Sequence, residues 1–216
     1  FFDGSIKILI AYSFTLMMVV GFINAGNIAD GANGLLSLVY LCFFSCLNLI
    51  EPSIFYSSLI VSLIVFFIYN IGTGKVFLGD FGAYFLSTLV AFSSLKTYQD
   101  YDISVFFFAT ILIYPCFEIT RSLAQRIIVK TPLMSPDNNH LHNKLNTYFL
   151  NYGLTAHQAN SMTGLFIAFI SASLPCYLFV TGDNLSNEIW FGLFVFEFLV
   201  LSSIYLILSK IYLKKI

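Results

Sequence analysis

Polar side chains able to do chemistry are concentrated in three short segments of an otherwise apolar chain, at residues 24–34, 77–82 and 136–142. The segments carry carboxamides, carboxylates and imidazoles, at Asn24, Asn27, Asp30, Asn33, Asp80, Asp137, His140 and His142. Such groups bind polar ligands and hard cations, contact phosphates or transfer protons. Because separate loops often assemble one site, we expect the three segments to meet on one face of the protein.

The first segment combines flexible backbone with amide and carboxylate groups. Gly31 and Gly34 allow a tight turn and a close approach to a ligand. The same residue types are common in an ordinary turn between two helices, for conformational reasons alone. The segment by itself is compatible with both interpretations.

Asp80 lies between Gly79 and Gly82, which leave room beside its carboxylate for a cation or a phosphate. Magnesium prefers a few carboxylates supplemented by phosphate oxygens and waters, so Asp80 is a candidate ligand for Mg²⁺. In the alternative interpretation, the carboxylate only reaches the membrane surface or pairs with Lys75.

His140 and His142 are two residues apart, a spacing that separates them on a helix and puts them on one side of an extended loop. Neither a third nearby histidine nor a cysteine completes a zinc site, so phosphate contact or proton handling is favoured over metal binding. Two solvated loop histidines are the alternative.

Membrane helices are the elements expected to position these segments. Hydrophobic residues make up 58% of the 216 residues and charged residues only 10%, which excludes an ordinary water-soluble domain. Apolar windows predict about seven spans, at residues 8–23, 35–50, 55–69, 84–95, 103–117, 162–180 and 189–209. The expected fold is an all-α, polytopic transmembrane helix bundle that forms one domain over residues 1–216, and its fourth window is unusually short.

The few charges set the expected orientation and partners. Eight of the ten lysines and arginines fall on the side of the three polar segments, and only Lys7 and Lys96 fall on the other. The positive-inside rule makes the polar side cytoplasmic. The net charge of −1 gives no basis for binding nucleic acid. The cysteines lack metal-ligand spacing and are predicted to be small core residues, whereas exposed aromatic spans permit a homodimer in the lipid bilayer.

Residues 118–161 are predicted to be a long cytoplasmic stretch that contains the histidines. Its first part continues the fifth span as a basic helix, with Arg121 and Arg126 as membrane anchors or phosphate contacts. Its second part, residues 140–153, has the spacing of an amphipathic helix, with Leu141 and Leu145 on the apolar face. Glu197 lies inside the last window, where an ionisable group is either functional, or protonated or paired within its helix.

Taken in order, the three segments resemble the polyprenyl-phosphate N-acetylhexosamine-1-phosphate transferases, of the glycosyltransferase family 4 type. That family shows N-A-x-N-x-x-D-G-x-[DN]-G-L, which residues 24–35 match. It also shows an Asn seven residues before F-x-G-D-x-G, and here Asn70 precedes Phe77 by seven. The third mark, P-D-x-x-H-x-H-H, is matched by Pro136, Asp137, His140 and His142. The single-residue gap between the histidines resembles the N-acetylglucosamine-1-phosphate branch rather than the muramoyl-pentapeptide branch.

The resemblance implies a bundle of about ten helices that transfers a sugar 1-phosphate from a UDP-N-acetylhexosamine to undecaprenyl phosphate and releases UMP. Such an enzyme acts at the cytoplasmic face of the bacterial inner membrane and initiates a lipid-linked cell-envelope glycan, such as the O-antigen of lipopolysaccharide. By similarity, Asp80 holds Mg²⁺, for which Mn²⁺ is a possible substitute.

The same resemblance distributes roles over the other site residues. Phe77 stacks on uracil, and Asn33 and Asn70 complete the uridine pocket, with Asn24 and Asn27 counted among the substrate-binding residues. Asp30 orders the first loop or contacts the nucleotide. His140 and His142 contact the phosphates or the sugar.

Three departures from the family pattern keep a second hypothesis open. Asn143 replaces the last histidine of the third mark, and Ala83 replaces the usual serine after D-x-G. The family's adjacent aspartates on an earlier loop have no counterpart, since Asp100 and Asp102 are predicted on the opposite face. The chain begins with Phe1, so we expect an amino-terminally incomplete transferase that is inactive by itself. The alternative is a catalytically inactive homologue that binds a nucleotide sugar or lipid phosphate as a scaffold, and a transporter or channel is favoured less.

Overall fold

The computed structural model describes residues 4–130, 132, 138–182 and 185–213, and these fold into helices joined by short connections. The helices are α1 (Gly4–Ala29), α2 (Leu35–Ile50), α3 (Ile54–Thr73), α4 (Gly79–Asp100), α5 (Val105–Ile111), α6 (Ile113–Val129), α7 (Leu141–Asn151), α8 (Ala156–Ala168), α9 (Leu174–Thr181) and α10 (Asn187–Leu213). A π-helical segment, Phe169–Ser173, joins α8 to α9. The prediction of an all-α bundle is confirmed.

The core is built around α2, which is apolar on all sides. Most of its large side chains are buried, including Leu36, Tyr40, Phe43 and Phe44. A helix without a polar face must be surrounded by other elements, and α3, α4, α8 and α9 all pack against it. The sequence predicted the bounds of α2 correctly, since turn-forming residues delimit its apolar run.

Seven spans were expected, and each of the seven windows is helical. Length and composition support four of them as membrane-crossing helices, at Ile6–Ala29, Ile54–Thr73, Ala156–Thr181 and Asn187–Ile211. The bent pair of α5 and α6 makes a fifth if it is one span. Helix α2 is apolar but has only 16 residues, and α4 does not meet the same apolar criterion. The predicted multi-pass character is supported, with four or five spans by this measure.

The fifth window bends by 76° between α5 and α6. Pro115 lies four residues after Ile111, the last residue of α5. It has no N–H to donate to the Ile111 carbonyl, and its ring crowds that carbonyl, so one continuous helix is disfavoured. In the first turn of α6 the missing N–H costs little.

Helix α4 is longer than predicted. It covers 22 residues, Gly79–Asp100, whereas the apolar window covered only residues 84–95. The sequence prediction was wrong because it counted apolar residues alone, and α4 has polar ends. Asp80 therefore lies in the first turn of a helix, where the helix dipole favours negative charge.

Over its described residues, the stretch that follows α5 has the two helical parts that were predicted from the sequence. Helix α6 continues as far as Val129, and the second part contains the amphipathic helix α7. Leu141 and Leu145 of α7 are buried in the core, with Tyr148 and Phe149 packed beside them. The apolar face of α7 thus packs on protein.

Candidate active site

The first polar segment forms the turn between α1 and α2. The Asp30 N–H donates to the Gly26 carbonyl at 3.1 Å, so Asp30 directly follows the last helical turn. Gly34 precedes α2 with a φ of 76°, a left-handed conformation that favours glycine. A β-carbon at Gly34 would also crowd Ile71. The turn therefore packs directly against α3.

Asn70 connects the first segment to the second. Its Oδ1 accepts a hydrogen bond from the Gly34 N–H at 2.5 Å, and its Nδ2 donates to the Val76 carbonyl at 2.5 Å. The side chain is only 4% exposed. Asn70 thus fixes the loop before α4 relative to the loop before α2. Its predicted contact with uridine stays a prediction.

Asn33 connects the first segment to α8. Its backbone N–H donates to Asn160 Oδ1 at 2.6 Å, and its Nδ2 donates to Ser161 Oγ at 3.2 Å. Gly164, one turn further along α8, lies so close to the Asn33 carbonyl that a β-carbon would collide with it. Asn160 and Ser161 were not predicted as site residues from the sequence, although polar residues beside an apolar helical run were a usable signal.

Asn24 and Asn27 lie in the last turns of α1. Asn24 is exposed, and its Nδ2 donates to the Val20 carbonyl of its own helix at 2.8 Å. Asn27 Nδ2 donates to Tyr84 Oη at 3.2 Å and so joins α1 to α4. Asn27 is therefore near the site, whereas the contacts of Asn24 are local.

Asp30 and Asp80 lie close enough for their charges to interact. Burial, and to a smaller extent the charge of Asp80, raise the pKa of Asp30 to about 6. Asp80 is exposed, and the ion pairs recorded for the described residues lie elsewhere, at Lys96 and around Glu118. The alternative of an Asp80–Lys75 pair is therefore not seen.

The two carboxylates offer a donor set that suits a hard cation with oxygen ligands. Among the described residues, no group of three or more histidine, cysteine, aspartate or glutamate side chains is arranged to hold a metal ion. A cation at Asp30 and Asp80 would therefore complete its coordination with oxygens of substrate and water, as Mg²⁺ commonly does.

Phe77 lies beside a cavity of about 140 Å³ between the first two segments. The cavity is lined by residues of both segments and of α8, including Asp30, Asn33, Gly34, Asn70, Leu78 and Asn160. The Phe77 side chain is 65% exposed. Its ring is therefore accessible to a flat ligand.

A larger cavity, of about 680 Å³, contains none of the predicted site residues. Asp102 and Trp190 are among its lining residues. Asp100 lies at the other end of the 22-residue helix α4 from Asp80, about 30 Å away at 1.5 Å per residue. The structure thus agrees with the expectation that Asp100 and Asp102 do not join the polar segments.

The third polar segment is described from residue 138 onward, so Pro136 and Asp137 lie outside the described residues. His140 has an extended backbone and caps α7, and His142 lies in the first turn. Their rings stack nearly parallel, with centroids 5.2 Å apart and an interplanar angle of 10°. A change from extended to helical backbone thus brings the two imidazoles together, which the spacing alone left open.

Both imidazoles are held through Nδ1. His140 Nδ1 lies 2.8 Å from Glu118 Oε2, and His142 Nδ1 lies 3.0 Å from Tyr114 Oη. Burial lowers the pKa of His142 to about 4, although Glu118 opposes this shift. His142 is therefore neutral near pH 7, with its Nε2 as the remaining polar atom.

Glu118 is a central residue of the site that was not predicted from the sequence. It is fully buried, and its carboxylate also accepts hydrogen bonds from the Leu141 N–H at 2.6 Å and from Arg121 Nη2 at 3.1 Å. The sequence feature that could have identified Glu118 was a charged residue inside an apolar helix, three residues before an arginine. The guanidinium of Arg121, predicted as a membrane anchor or a phosphate contact, pairs with Glu118.

The two residues that depart from the family pattern, Asn143 and Ala83, can be placed in the structure. Asn143 donates from Nδ2 to the Asn138 carbonyl at 3.3 Å, and Ala83 is buried in the core.

Glu197 is 1% exposed, and neither carboxylate oxygen has a hydrogen-bond partner among the described residues. The interpretation of Glu197 as a helix-paired group is therefore not supported.

Gly31 joins the first segment to the third. A β-carbon at Gly31 would collide with His142 Nε2, so the backbone of the Asp30 turn lies directly on the imidazole. Asn70 links the first segment to the second, and the charges of Asp30 and Asp80 interact. The structure thus brings the three polar segments together at one end of the bundle.

Comparison with known proteins gives a family model and several relatives that match this chain. Residues 1–98 match the sequence model described as "Glycosyl transferase family 4". A probable undecaprenyl-phosphate N-acetylglucosaminyl 1-phosphate transferase of Bacillus subtilis is 30% identical over 200 residues, which are 88% of this chain and 53% of the relative. An undecaprenyl-phosphate alpha-N-acetylglucosaminyl 1-phosphate transferase of Thermotoga maritima is 35% identical over 130 residues, 60% of this chain and 41% of the relative.

A phospho-N-acetylmuramoyl-pentapeptide-transferase of Fervidobacterium nodosum is 33% identical over 108 residues, 47% of this chain and 34% of the relative. No solved structure matches the chain significantly. The chain spans about half the length of the first two relatives. The similarity to these transferases and the match to the family model show that the chain belongs to glycosyl transferase family 4.

Proposed function

We propose that the protein transfers an N-acetylhexosamine 1-phosphate from a UDP-N-acetylhexosamine to undecaprenyl phosphate and releases UMP. The observation that carries the proposal is the meeting of the Asp30–Asp80 carboxylates with the stacked His140–His142 pair at one end of an apolar bundle. The names of the relatives give the class of acceptor and of transferred group.

The position of the polar cluster suits the two substrates. A polyprenyl phosphate has its chain in the hydrocarbon and its phosphate at the headgroup plane, whereas a nucleotide sugar arrives from water. A site at the end of membrane helices meets both. With the positive-inside rule, this end faces the cytoplasm of the bacterial inner membrane, where the product would initiate a lipid-linked envelope glycan.

Asp80 and Asp30 are the residues that would hold Mg²⁺, or Mn²⁺ in its place. When bound, the cation would neutralise charge on the phosphates of donor and acceptor. Asp80 suits this role because it is exposed and makes no recorded ion pair among the described residues. Asp30, with its carboxylate partly buried beside a second negative charge, would gain most from a nearby cation.

The remaining residues would bind and orient the donor. Phe77 would stack on uracil at the mouth of the 140 Å³ cavity. Asn33 and Asn70 would shape the uridine pocket, chiefly by fixing its loops through the hydrogen bonds to α8 and to the Val76 carbonyl. The Nε2 atom of His140 would contact the sugar, whose hydroxyl and amide groups can donate to it, since the Nδ1 of His140 is engaged by Glu118. His142, which is held by Tyr114 and whose Nε2 lies against the Gly31 backbone, would support the Asp30 turn.

Membranes that contain the complete gene product provide the test. Incubation with UDP-[¹⁴C]N-acetylglucosamine and undecaprenyl phosphate is expected to give solvent-extractable labelled lipid only when Mg²⁺ or Mn²⁺ is present, and Asp80→Asn is expected to abolish it. Absence of lipid product with every UDP-N-acetylhexosamine tested would refute the proposal. Binding of UDP without turnover would instead favour the inactive scaffold, which the substitution at Asn143 keeps under consideration.

A further inference from the structure

Four partners converge on the Glu118 carboxylate. Oε2 accepts from Arg121 and lies 2.8 Å from His140 Nδ1, whereas Oε1 accepts from the Leu141 N–H at 2.6 Å and from Tyr114 Oη at 3.4 Å. These partners come from α6 and from the start of α7. The carboxylate therefore connects α6 to the start of the next helix, α7.

A fully buried carboxylate is costly unless it is paired and hydrogen-bonded. Glu118 meets this condition with both oxygens. Glu197 is buried to a similar extent, yet neither of its oxygens has a partner among the described residues. Burial alone therefore does not explain the contacts of Glu118, and their common feature is the histidine pair.

The geometry assigns Glu118 as the positioning residue of the histidine pair. Its Oε2 holds the His140 ring through Nδ1, and its Oε1 holds the backbone at Leu141, between the two histidines, together with the Tyr114 hydroxyl that contacts His142. One carboxylate thus sets the orientation of both imidazoles, so that His140 Nε2 is left for ligand and His142 Nε2 faces the Gly31 backbone. This inference rests on the proposed function only for what His140 Nε2 contacts.

Glu118 also determines which nitrogen of His140 carries a proton. A carboxylate accepts hydrogen bonds and does not donate them, so it favours a proton on Nδ1. Arg121 Nη2 lies 3.1 Å from the same nitrogen, and the shorter contact is that with Glu118. With Nδ1 protonated, neutral His140 presents Nε2 as a hydrogen-bond acceptor.

Glu118→Gln is the informative variant because it keeps the shape but leaves one acceptor oxygen where there were two. If the amide oxygen faces the Leu141 N–H, the NH₂ group faces His140 and favours movement of the proton from Nδ1 to Nε2. If the amide is reversed, the NH₂ group faces the Leu141 N–H and the first turn of α7 loses its acceptor. Either arrangement changes the environment of the His140 ring.

Selective ¹⁵N-histidine NMR of the purified protein detects this change around the His140 ring without any substrate. Glu118→Gln is expected to change the ring ¹⁵N signals of His140, while those of His157 remain as in the wild type. Glu197→Gln makes the same chemical change at another buried position and should alter neither. Ring signals of His140 that match the wild type in Glu118→Gln would overturn the inference.

Tyr114→Phe gives an independent measurement if Glu118→Gln fails to fold. It removes only the hydroxyl that lies 3.0 Å from His142 Nδ1. The ring signals of His142 are expected to change and those of His157 to remain. Unchanged His142 signals would contradict the proposed network, whatever the behaviour of Glu118→Gln.

Enzyme kinetics distinguish a variant whose imidazoles are misplaced from a variant that is misfolded. Loss of a hydrogen-bond partner that orients a metal-bound histidine typically costs 10- to 100-fold. By the same reasoning for a ligand-contacting histidine, Glu118→Gln is expected to lower kcat about 10- to 100-fold with KM for the UDP-sugar within about threefold. An unchanged kcat would refute the positioning role. If the wild type showed no transfer while the NMR changes occurred, the proposed function would fail and the positioning of the imidazoles would stand.

Discussion

Gly31 lies so close to His142 that a single added methyl group would collide with Nε2. This contact joins a turn after α1 to the first turn of α7, across more than a hundred residues of sequence. It places the Asp30 backbone next to the imidazole pair, and it explains why the turn requires a residue without a side chain there.

Gly31→Ala is therefore expected to separate the Asp30 turn from His142 and to lower transferase activity more than tenfold, since a misplacement of about 1 Å costs on the order of 10²-fold. The comparison variant is Gly21→Ala on α1, where a β-carbon meets nothing within 4 Å. Equal activity of both variants in the lipid-transfer assay would show that the contact is not important for function.

Asn70→Ala is expected to destabilise the protein because it leaves the Gly34 N–H and the Val76 carbonyl without their partner. Loss of the partner of the buried Gly34 N–H costs roughly 1–3 kcal/mol, whereas Val76 is partly exposed and its carbonyl can bond to water. Thermal unfolding in detergent would detect the loss as a lower Tm. Asn24→Ala, which removes only a bond within α1, is the control. An unchanged Tm with a higher KM for the UDP-sugar would assign Asn70 to ligand contact instead.

Asp30→Asn is expected to stabilise the protein at neutral pH while abolishing turnover. The pKa of Asp30 is raised to about 6, so the wild type loses stability as the pH rises from about 4 through 6. The neutral amide avoids this loss, which is worth roughly 2 kcal/mol after solvent screening.

Thermal unfolding in EDTA at pH 4, 6 and 8 measures the effect. The gain in Tm of Asp30→Asn over the wild type should be small at pH 4 and largest at pH 8. Asp102→Asn, at the other end of the bundle, controls for loss of a carboxylate. A gain that did not depend on pH would contradict the environment described for Asp30.

Phe77→Leu is expected to raise KM for the UDP-sugar about tenfold, because base stacking on an aromatic ring contributes about 1–3 kcal/mol. Phe81 is also exposed and stacks on Phe85, so Phe81→Leu is a matched control that should leave KM near the wild-type value. Similar KM values for both variants would remove Phe77 from the nucleotide site.

The sequence predicted those parts of the fold that depend on local pattern. The bounds of α2 follow from an apolar run between turn residues, and the apolar face of α7 follows from the spacing of Leu141 and Leu145. The grouping of the three polar segments was also predicted, because counting the spans places them on one side.

The missed features depend on tertiary contacts. Glu118 and His140 are 22 residues apart, and only the folded position of the first turn of α7 beside α6 brings them together. Asn160 and Ser161 hold Asn33 from a helix whose polar residues gave no indication of their partner. The early start of α4 was missed because polar residues at a helix end do not register as part of an apolar window.

The most direct test of the central claim follows the β-phosphorus of the donor. Membranes that contain the complete protein would be incubated with undecaprenyl phosphate and UDP-N-acetylglucosamine labelled with ³²P at the β-phosphate and ¹⁴C in the sugar. Transfer of a sugar 1-phosphate predicts both labels in the lipid in equal proportion, with unlabelled UMP released. Lipid that carries ¹⁴C while ³²P remains in UDP, or lipid that carries neither label, would contradict the account.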